Sequence, residues 1–406
     1  MYDVAVIGAG PVGLAAGARL SNGGLRFIVL EAGESAAASV RQWGHVRMFS
    51  PWAANIDSVA AELLDETGWK QPPEGTPNGR DLYERYLSQL SALQPLRDAI
   101  RLNAEVVAVG RHRLDKTPTD RRAETPFALM LRSGEHILAR HVLDASGTWR
   151  TPNPLGAGGY PLTHENEAPI VYGPPDSRGA LRHRYAGKRV LVVGAGHSAM
   201  HAMLDLLQLK AETGAGSIIW ALRRDRLVKT DADADPLGER AALNARARAA
   251  MTSNDLEVLA PFAIHALRPD AEGVEVFGEG QNGPHSVRVD EIIAATGFRP
   301  NLAMTREVRL RIDPWLEAPE KLAVLIDPNI NTSCNSVPVH GADELAHPDS
   351  EYFIVGMKSY GRAPTFLLST GYKQVASAIA RIRGEPEPMQ RSACAPAVAS
   401  CGGVST

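Results

Sequence analysis

The sequence predicts an α/β chain carrying two dinucleotide-binding units of the Rossmann type. Two stretches of its 406 residues predict it, "YDVAVIGAGPVGLAAGARL" at the start and "KRVLVVGAGHSAMHAML" from Lys188 to Leu204. Each reads as a buried strand, a glycine turn and the beginning of a helix. A third observation distinguishes them. The strand after the first turn ends in a carboxylate, and the strand after the second ends in two arginines.

In the first copy Val4 to Ile7 is an apolar run, as a parallel strand needs when both its faces are covered. Gly8, Gly10 and Gly13 follow in G-x-G-x-x-G order, with Pro11 and Val12 between them. The first glycine permits the tight turn, the second lets backbone approach a pyrophosphate, and the third allows close helix-to-strand packing. The helix N-terminus adds free N–H groups and a favourable dipole for phosphate. The next strand, "LRFIVLE", ends in Glu31, placed to take ribose hydroxyls. This turn is therefore expected to hold FAD. A glycine turn without a ligand is the other reading.

The second copy has Gly194, Gly196 and Ala199, with His197 and Ser198 between. Its following strand, "SIIWALRR", ends in Arg223 and Arg224. A carboxylate there would repel a 2′-phosphate, whereas arginine binds one. NADPH is the expected occupant. A solvated basic strand end is the alternative for the two arginines.

Composition excludes several classes. The net charge is −3 with basic residues scattered, so no nucleic-acid partner is expected, and "RRDR" and "RHR" read as short solvated runs. No apolar run approaches the roughly 18 residues of a membrane span. The chain opens on a core strand without a charged leader, and its three cysteines form no C-x-x-C. A reducing, cytoplasmic setting is expected.

Along the chain, "GRDLYERYLSQLSALQPL" reads as an amphipathic helix and "IRLNAEVVAVGRH", containing Val107, as a strand. "FALMLRSGEHILARHVLDASG" reads as a hairpin followed by a buried strand, ending with Ala145 and Gly147. "TWRTPNPLGAGGYP" breaks regularity as a domain crossing would. "DEIIAATGFRPN" is another apolar strand, ending at Thr296 and Gly297. "EYFIVGMKSYG" is a strand and turn containing Gly356 and Met357, and "PTFLLSTGYKQVASAIARI" is a long helix. The Pro-, Ala-, Ser- and Gly-rich tail is expected to be flexible.

Over 1–385 this layout resembles the flavoproteins in which one Rossmann-like domain is inserted into another. The two glycine turns, "DASG", "ATGFRP" and the final strand and helix carry the resemblance. It implies a Rossmann-like FAD domain at 1–160, an inserted Rossmann-like NADPH domain at 161–295, an FAD-domain return segment at 296–385 and a tail at 386–406. It also implies that Val107, Ala145, Gly147, Thr296, Gly297, Gly356 and Met357 lie against cofactor. Many such proteins have Gly-Asp where this chain has Gly356-Met357, with the carboxylate near the ribityl chain. Backbone N–H groups at 357–358, or Ser359, are the candidate substitutes.

The disulfide reductases of this group carry a cysteine pair beside the flavin, which this chain lacks. The class B flavin monooxygenases are similar in "SVRQWGHVRMFSP", where Trp43, Arg47 and Phe49 match a segment beside the flavin. Their F-x-G-x-x-x-H signature is incomplete: Gly173 is present without the histidine. "GMKSYGRAPTFLL" together with "ATGFRP" resembles a divergent branch, bacterial flavoproteins found beside arsenic-resistance functions that oxidise trivalent organic arsenicals. The resemblance implies hydride transfer from NADPH to FAD and formation of a flavin C4a-hydroperoxide with oxygen. That adduct would oxygenate a soft nucleophilic small molecule. It needs no acid–base side chain, and no catalytic residue is assigned. An NADPH oxidoreductase that passes electrons without inserting oxygen, and a nucleotide-binding sensor, remain alternatives.

His197 and His201 have the i,i+4 spacing of metal ligands, but His197 lies inside the phosphate turn, where a nucleotide-facing role is preferred, and no metal is expected. His340 and His347 are either pocket or ordinary loop residues. Ser146, Ser198 and Ser369 lack a nucleophile-elbow context. Lys358 and Arg362 either serve the flavin or lie on the surface. Cys334, Cys394 and Cys401 either capture a thiophilic substrate or are structural and incidental.

Overall fold

The computed structural model describes residues 1–224, 237–330, 340–364 and 366–387. Cys334, Cys394, Cys401 and the tail from 388 onward lie outside them.

The first sheet holds β1 (Tyr2–Ile7), β2 (Phe27–Leu30), β3 (Ile100–Arg101), β4 (Val106–Arg111), β5 (Phe127–Leu131) and β6 (His136–Asp144), in the order β3-β2-β1-β6-β5-β4. Alternate side chains of β1 feed two different cores, which is why its run is continuously apolar. Val4 and Val6 pack with Leu14 of the first helix (Pro11–Ser21), while Ala5 and Ile7 pack with Phe127 and Leu129 on the other face.

Three local readings change. The expected hairpin and separate buried strand are one strand: the first half of β6 pairs antiparallel with β5, and its second half runs parallel to β1. Nine residues are long enough to serve both neighbours. "IRLNAEVVAVGRH" is two strands, because Asn103 adopts a positive φ of 51° and turns the chain between β3 and β4. The expected amphipathic helix begins in a capping box between Asn78 and Asp81, then breaks after Ala92, before the Gln94–Ala99 helix with Pro95 in its first turn.

The second unit holds β7 (Ile170–Tyr172), β8 (Arg189–Val193), β9 (Ser217–Ala221), β10 (Leu256–Leu259), β11 (Phe262–Asp270), β12 (Gly273–Gly280), β13 (Gly283–Val289) and β14 (Glu291–Ala294). Its parallel sheet has the order β10-β9-β8-β14-β7. The helix His197–Thr213 covers one face, and the antiparallel β11-β12-β13 sheet packs on the other. The two connecting segments brace each other: Asn153 N–H donates to Gly297 O at 2.9 Å and Arg299 N–H to Thr151 O at 3.0 Å. Beyond them the chain returns. β15 (Tyr352–Ile354) joins β6 in parallel register, and the last helix, Leu368–Arg383, lies against the first helix. Two Rossmann-like units are thus present, the second lying between β6 and β15 of the first.

Candidate functional site

The three glycines of the first turn do three different things. Gly8 has φ +96°, and a Cβ there would lie 2.7 Å from Ala145 O. A Cβ on Gly13 would meet Gly8 O at 1.9 Å, so helix and turn touch through bare backbone. A Cβ on Gly10 would meet nothing within 4 Å, because Gly10 faces a cavity of about 760 Å³. Gly8, Pro11 and Val12 share its wall. At the end of β2 the buried Glu31 is fixed by its own turn. Its Oε2 accepts from Ala9 N–H and its Oε1 from Gly33 N–H, both at 2.8 Å. Trp43, Arg47, Phe49, Ala145, Gly147, Gly356 and Met357 also line this cavity.

Val107 does not line the cavity; Val106 does. The β4–β5 pairing slips between Val106 and Ala108, and a bulge of this kind reverses the face on which neighbouring residues point.

The second turn repeats the geometry of the first. Gly194 has φ +126° and its Cβ position lies 2.3 Å from Ala295 O, while the Cβ position of Gly196 is open. Ala199 stands buried in the third position, and Ser198 is half-buried. Thr296 Oγ1 donates to Asn153 O at 2.7 Å beside the exposed Gly297. Arg223 and Arg224 are exposed just beyond β9, and Arg223 Nη1 donates to Ala157 O at 3.1 Å. None of these residues lines the large cavity.

Between the units, Phe49 packs edge-on against His197 at 4.8 Å and stacks on His201 at 5.9 Å. The i,i+4 spacing of these histidines thus serves an aromatic seam. Burial pushes His201 down to about 4, so its ring is neutral at pH 7. Arg47 bonds Glu239 of the helix Gly238–Ala250 at 2.8 Å. Trp149 and Phe298 stack at 4.7 Å, and both would crowd a Cβ on Gly173, at 3.2 and 3.3 Å. Gly173 therefore has a packing role without the missing histidine.

Sequence reasoning missed a fully buried ion pair. Asp144, the last residue of β6, and Lys358, four residues beyond β15, are completely buried and 2.7 Å apart. Tyr352 Oη donates to Asp144 Oδ2 at 2.7 Å, and Ser146 Oγ to Asp144 Oδ1 at 2.6 Å. Burial alone would raise the Asp144 carboxyl; the Lys358 charge and these hydrogen bonds hold it below its ordinary value. The surface reading of Lys358 is overturned, whereas Arg362 is exposed. The available signal was a lysine within the apolar-rich "FIVGMKSY".

Three other candidates are absorbed by internal packing. Ser359 is fully buried, donates to Gly356 O at 2.8 Å and does not reach the cavity, so it is no substitute for the missing carboxylate. His340 is buried against Gln374, whose Oε1 accepts from Gly356 N–H at 2.8 Å. His347 Nδ1 accepts from Arg311 N–H, and burial pushes it down to about 4. Neither histidine lines the cavity.

With the duplicated turn and this cavity in place, the comparison with known proteins is decisive at the level of family. Residues 5–320 match the description of the pyridine nucleotide-disulphide oxidoreductases. The chain belongs to that family. Within it, the chain is similar to the indole-3-pyruvate monooxygenase YUCCA1 of Oryza sativa subsp. japonica, 28% identical over 209 residues. That match spans 50% of this chain and 44% of the plant protein, so the alignment covers about half of each. Among solved structures, the bacillithiol disulfide reductase Bdr of Bacillus cereus shares the fold, with a TM-score of 0.69 at 15% identity, covering 94% of this chain and 99% of that one. DfoA, a cadaverine monooxygenase from Erwinia amylovora bound to FAD, does so with a TM-score of 0.64 at 17% identity, covering 97% and 98%.

Proposed function

We propose that this family member is an FAD- and NADPH-dependent monooxygenase acting on a soft nucleophilic small molecule, with trivalent organoarsenicals as the first class to test. The carrying observation is the repeated turn: the same open second glycine occurs twice, followed by Glu31 in one unit and by Arg223 and Arg224 in the other. The similarity to a plant monooxygenase supports the choice of reaction. A unit division near 160 and 295, and a reducing cytoplasmic setting, belong to the same reading. Among the described residues no helix is long and apolar enough to cross a membrane.

The cavity fits FAD. Gly10 leaves room for a pyrophosphate at a helix N-terminus, and Glu31 keeps lone pairs for the adenosine ribose after accepting its two backbone bonds. FAD, when bound, accepts a hydride and activates dioxygen. The chain supplies position and dryness: Trp43, Phe49 and Met357 give the cavity an apolar wall, and Arg223 and Arg224 take the 2′-phosphate of NADPH. One oxygen atom of dioxygen goes to the substrate and the other to water, with the electron pair coming from NADPH.

The test is turnover of FAD-loaded protein with NADPH, isotopically heavy dioxygen and a methylated trivalent arsenical, with catalase present. One heavy oxygen atom in the product is expected. NADPH oxidation that puts no heavy oxygen into arsenicals, thioethers or amines, and that accumulates peroxide when catalase is left out, would favour electron transfer without oxygen insertion. Coenzyme choice has its own test. Replacing Arg223 and Arg224 together by alanine should weaken NADPH about tenfold or more, since charge-assisted bonds are worth about 1.5–3 kcal/mol. NADH should be nearly unaffected, and equal losses would place both arginines away from the phosphate.

A further inference from the structure

The loop after β6 carries a hydroxyl whose hydrogen-bonding capacity is already divided. Ser146 lies on the wall of the large cavity and is exposed, whereas Asp144 and Lys358 beneath it are fully buried. Its single proton is committed inward, to Asp144 Oδ1 at 2.6 Å. One lone pair is also committed, accepting from Lys358 Nζ at 3.1 Å. A hydroxyl has one proton and two lone pairs, so one lone pair is left. With both inward bonds made to buried groups, that lone pair is the free capacity on the cavity side. The buried pair therefore converts an adaptable hydroxyl into a fixed acceptor, ready for a donor without further ordering.

The position of Ser146 selects the donor. A Cβ on Gly8 would lie 3.1 Å from Ser146 Cα, so Ser146 borders the phosphate turn. On one side of the pyrophosphate FAD has the adenosine ribose, at which Glu31 is placed. On the other it has the ribityl chain. Met357, on the same cavity wall, offers no side-chain oxygen.

We propose that Ser146 is a cofactor-binding residue that accepts a hydrogen bond from a ribityl hydroxyl of FAD, held as an acceptor by Asp144 and Lys358. The proposal rests on the reading of this cavity as the FAD site. Ser146 binds cofactor; Asp144 and Lys358 are positioning residues.

The experiment titrates FAD into flavin-free full-length protein, as wild type, Ser146→Ala and Ser146→Thr. The same titrations are made with FAD analogues each lacking one ribityl hydroxyl. Ser146→Ala should bind FAD about five- to tenfold more weakly, the range of one hydrogen bond. In wild type one analogue should show a similar loss, and in Ser146→Ala that analogue should lose nothing further. Ser146→Thr, which keeps the hydroxyl, should recover most of the affinity. Unchanged FAD affinity in Ser146→Ala overturns the proposal. So does an equal loss for FAD and every analogue, which would trace the effect to loosened packing. Wild-type protein that takes up no FAD overturns the cavity assignment and this proposal together, whereas FAD-binding wild type matched by Ser146→Ala overturns this one alone.

Discussion

Gly10→Val is expected to give a folded protein that retains no flavin. Gly10 is the N-cap of the first helix, with φ −73° and ψ −175°, a conformation open to any residue. Its Cβ position touches nothing, so valine strains no neighbour and instead fills the space a pyrophosphate needs. The fold cost is limited to a poorer cap, about 1 kcal/mol. Gly13→Val behaves differently: its Cβ would lie 1.9 Å from Gly8 O, and the helix cannot stay in place. Gly196→Val, equally unobstructed, should stay yellow but resist reduction by NADPH while still bleaching with dithionite. Absorbance after desalting, with circular dichroism as the folding control, checks all three. A colourless Gly196→Val beside a yellow Gly10→Val would exchange the two assignments.

The features legible in the sequence are those whose cause is local. A strand covered on both faces must be apolar throughout, and a turn that meets another backbone must be glycine, so Val4–Ile7, Gly8 and Gly194 announce themselves. The strand-end positions of Glu31 and Arg223 were readable because a strand end has a fixed relation to the turn before it. Features that depend on distant pairing were not. Asp144 and Lys358 are 214 residues apart in sequence, and neither shows by its neighbours that β15 will dock on β6. Ser146 was set aside as a nucleophile because its local context is wrong, while its role as an acceptor depends on that distant lysine. Val106 lines the cavity and Val107 does not, because a bulge with no clear sequence mark lies between Val106 and Ala108. Ser359 failed because the last helix brings Gln374 over it. The three cysteines lie outside the described residues, so the thiol reading of the substrate rests on composition alone.

Lys358→Met is expected to destabilise the protein by about 3–5 kcal/mol at pH 7, the range for leaving one partner of a buried ion pair uncompensated. The pair holds β15 and the turn after it against the end of β6, so the loss falls on the return segment that closes the first unit. Removing both charges, in Asp144→Asn with Lys358→Met, should cost much less than the sum of the single changes, because no lone charge remains in the interior. The pH dependence should also change sign. In the wild type the Asp144 carboxyl is held below its ordinary value, so its contribution is complete above the unfolded value of about 3.9 and is lost as pH falls through the lower folded value. Without Lys358 only the Tyr352 and Ser146 hydrogen bonds oppose burial, the largest influence, and the folded carboxyl pKa rises. The protonated form then fits the interior best, and the variant should lose stability relative to wild type as pH rises above about 4. Urea unfolding midpoints from pH 4 to pH 7 measure this directly. A gap between Lys358→Met and wild type that stays constant over that range would mean that packing of the lysine stem, and not its charge, holds β15 to β6.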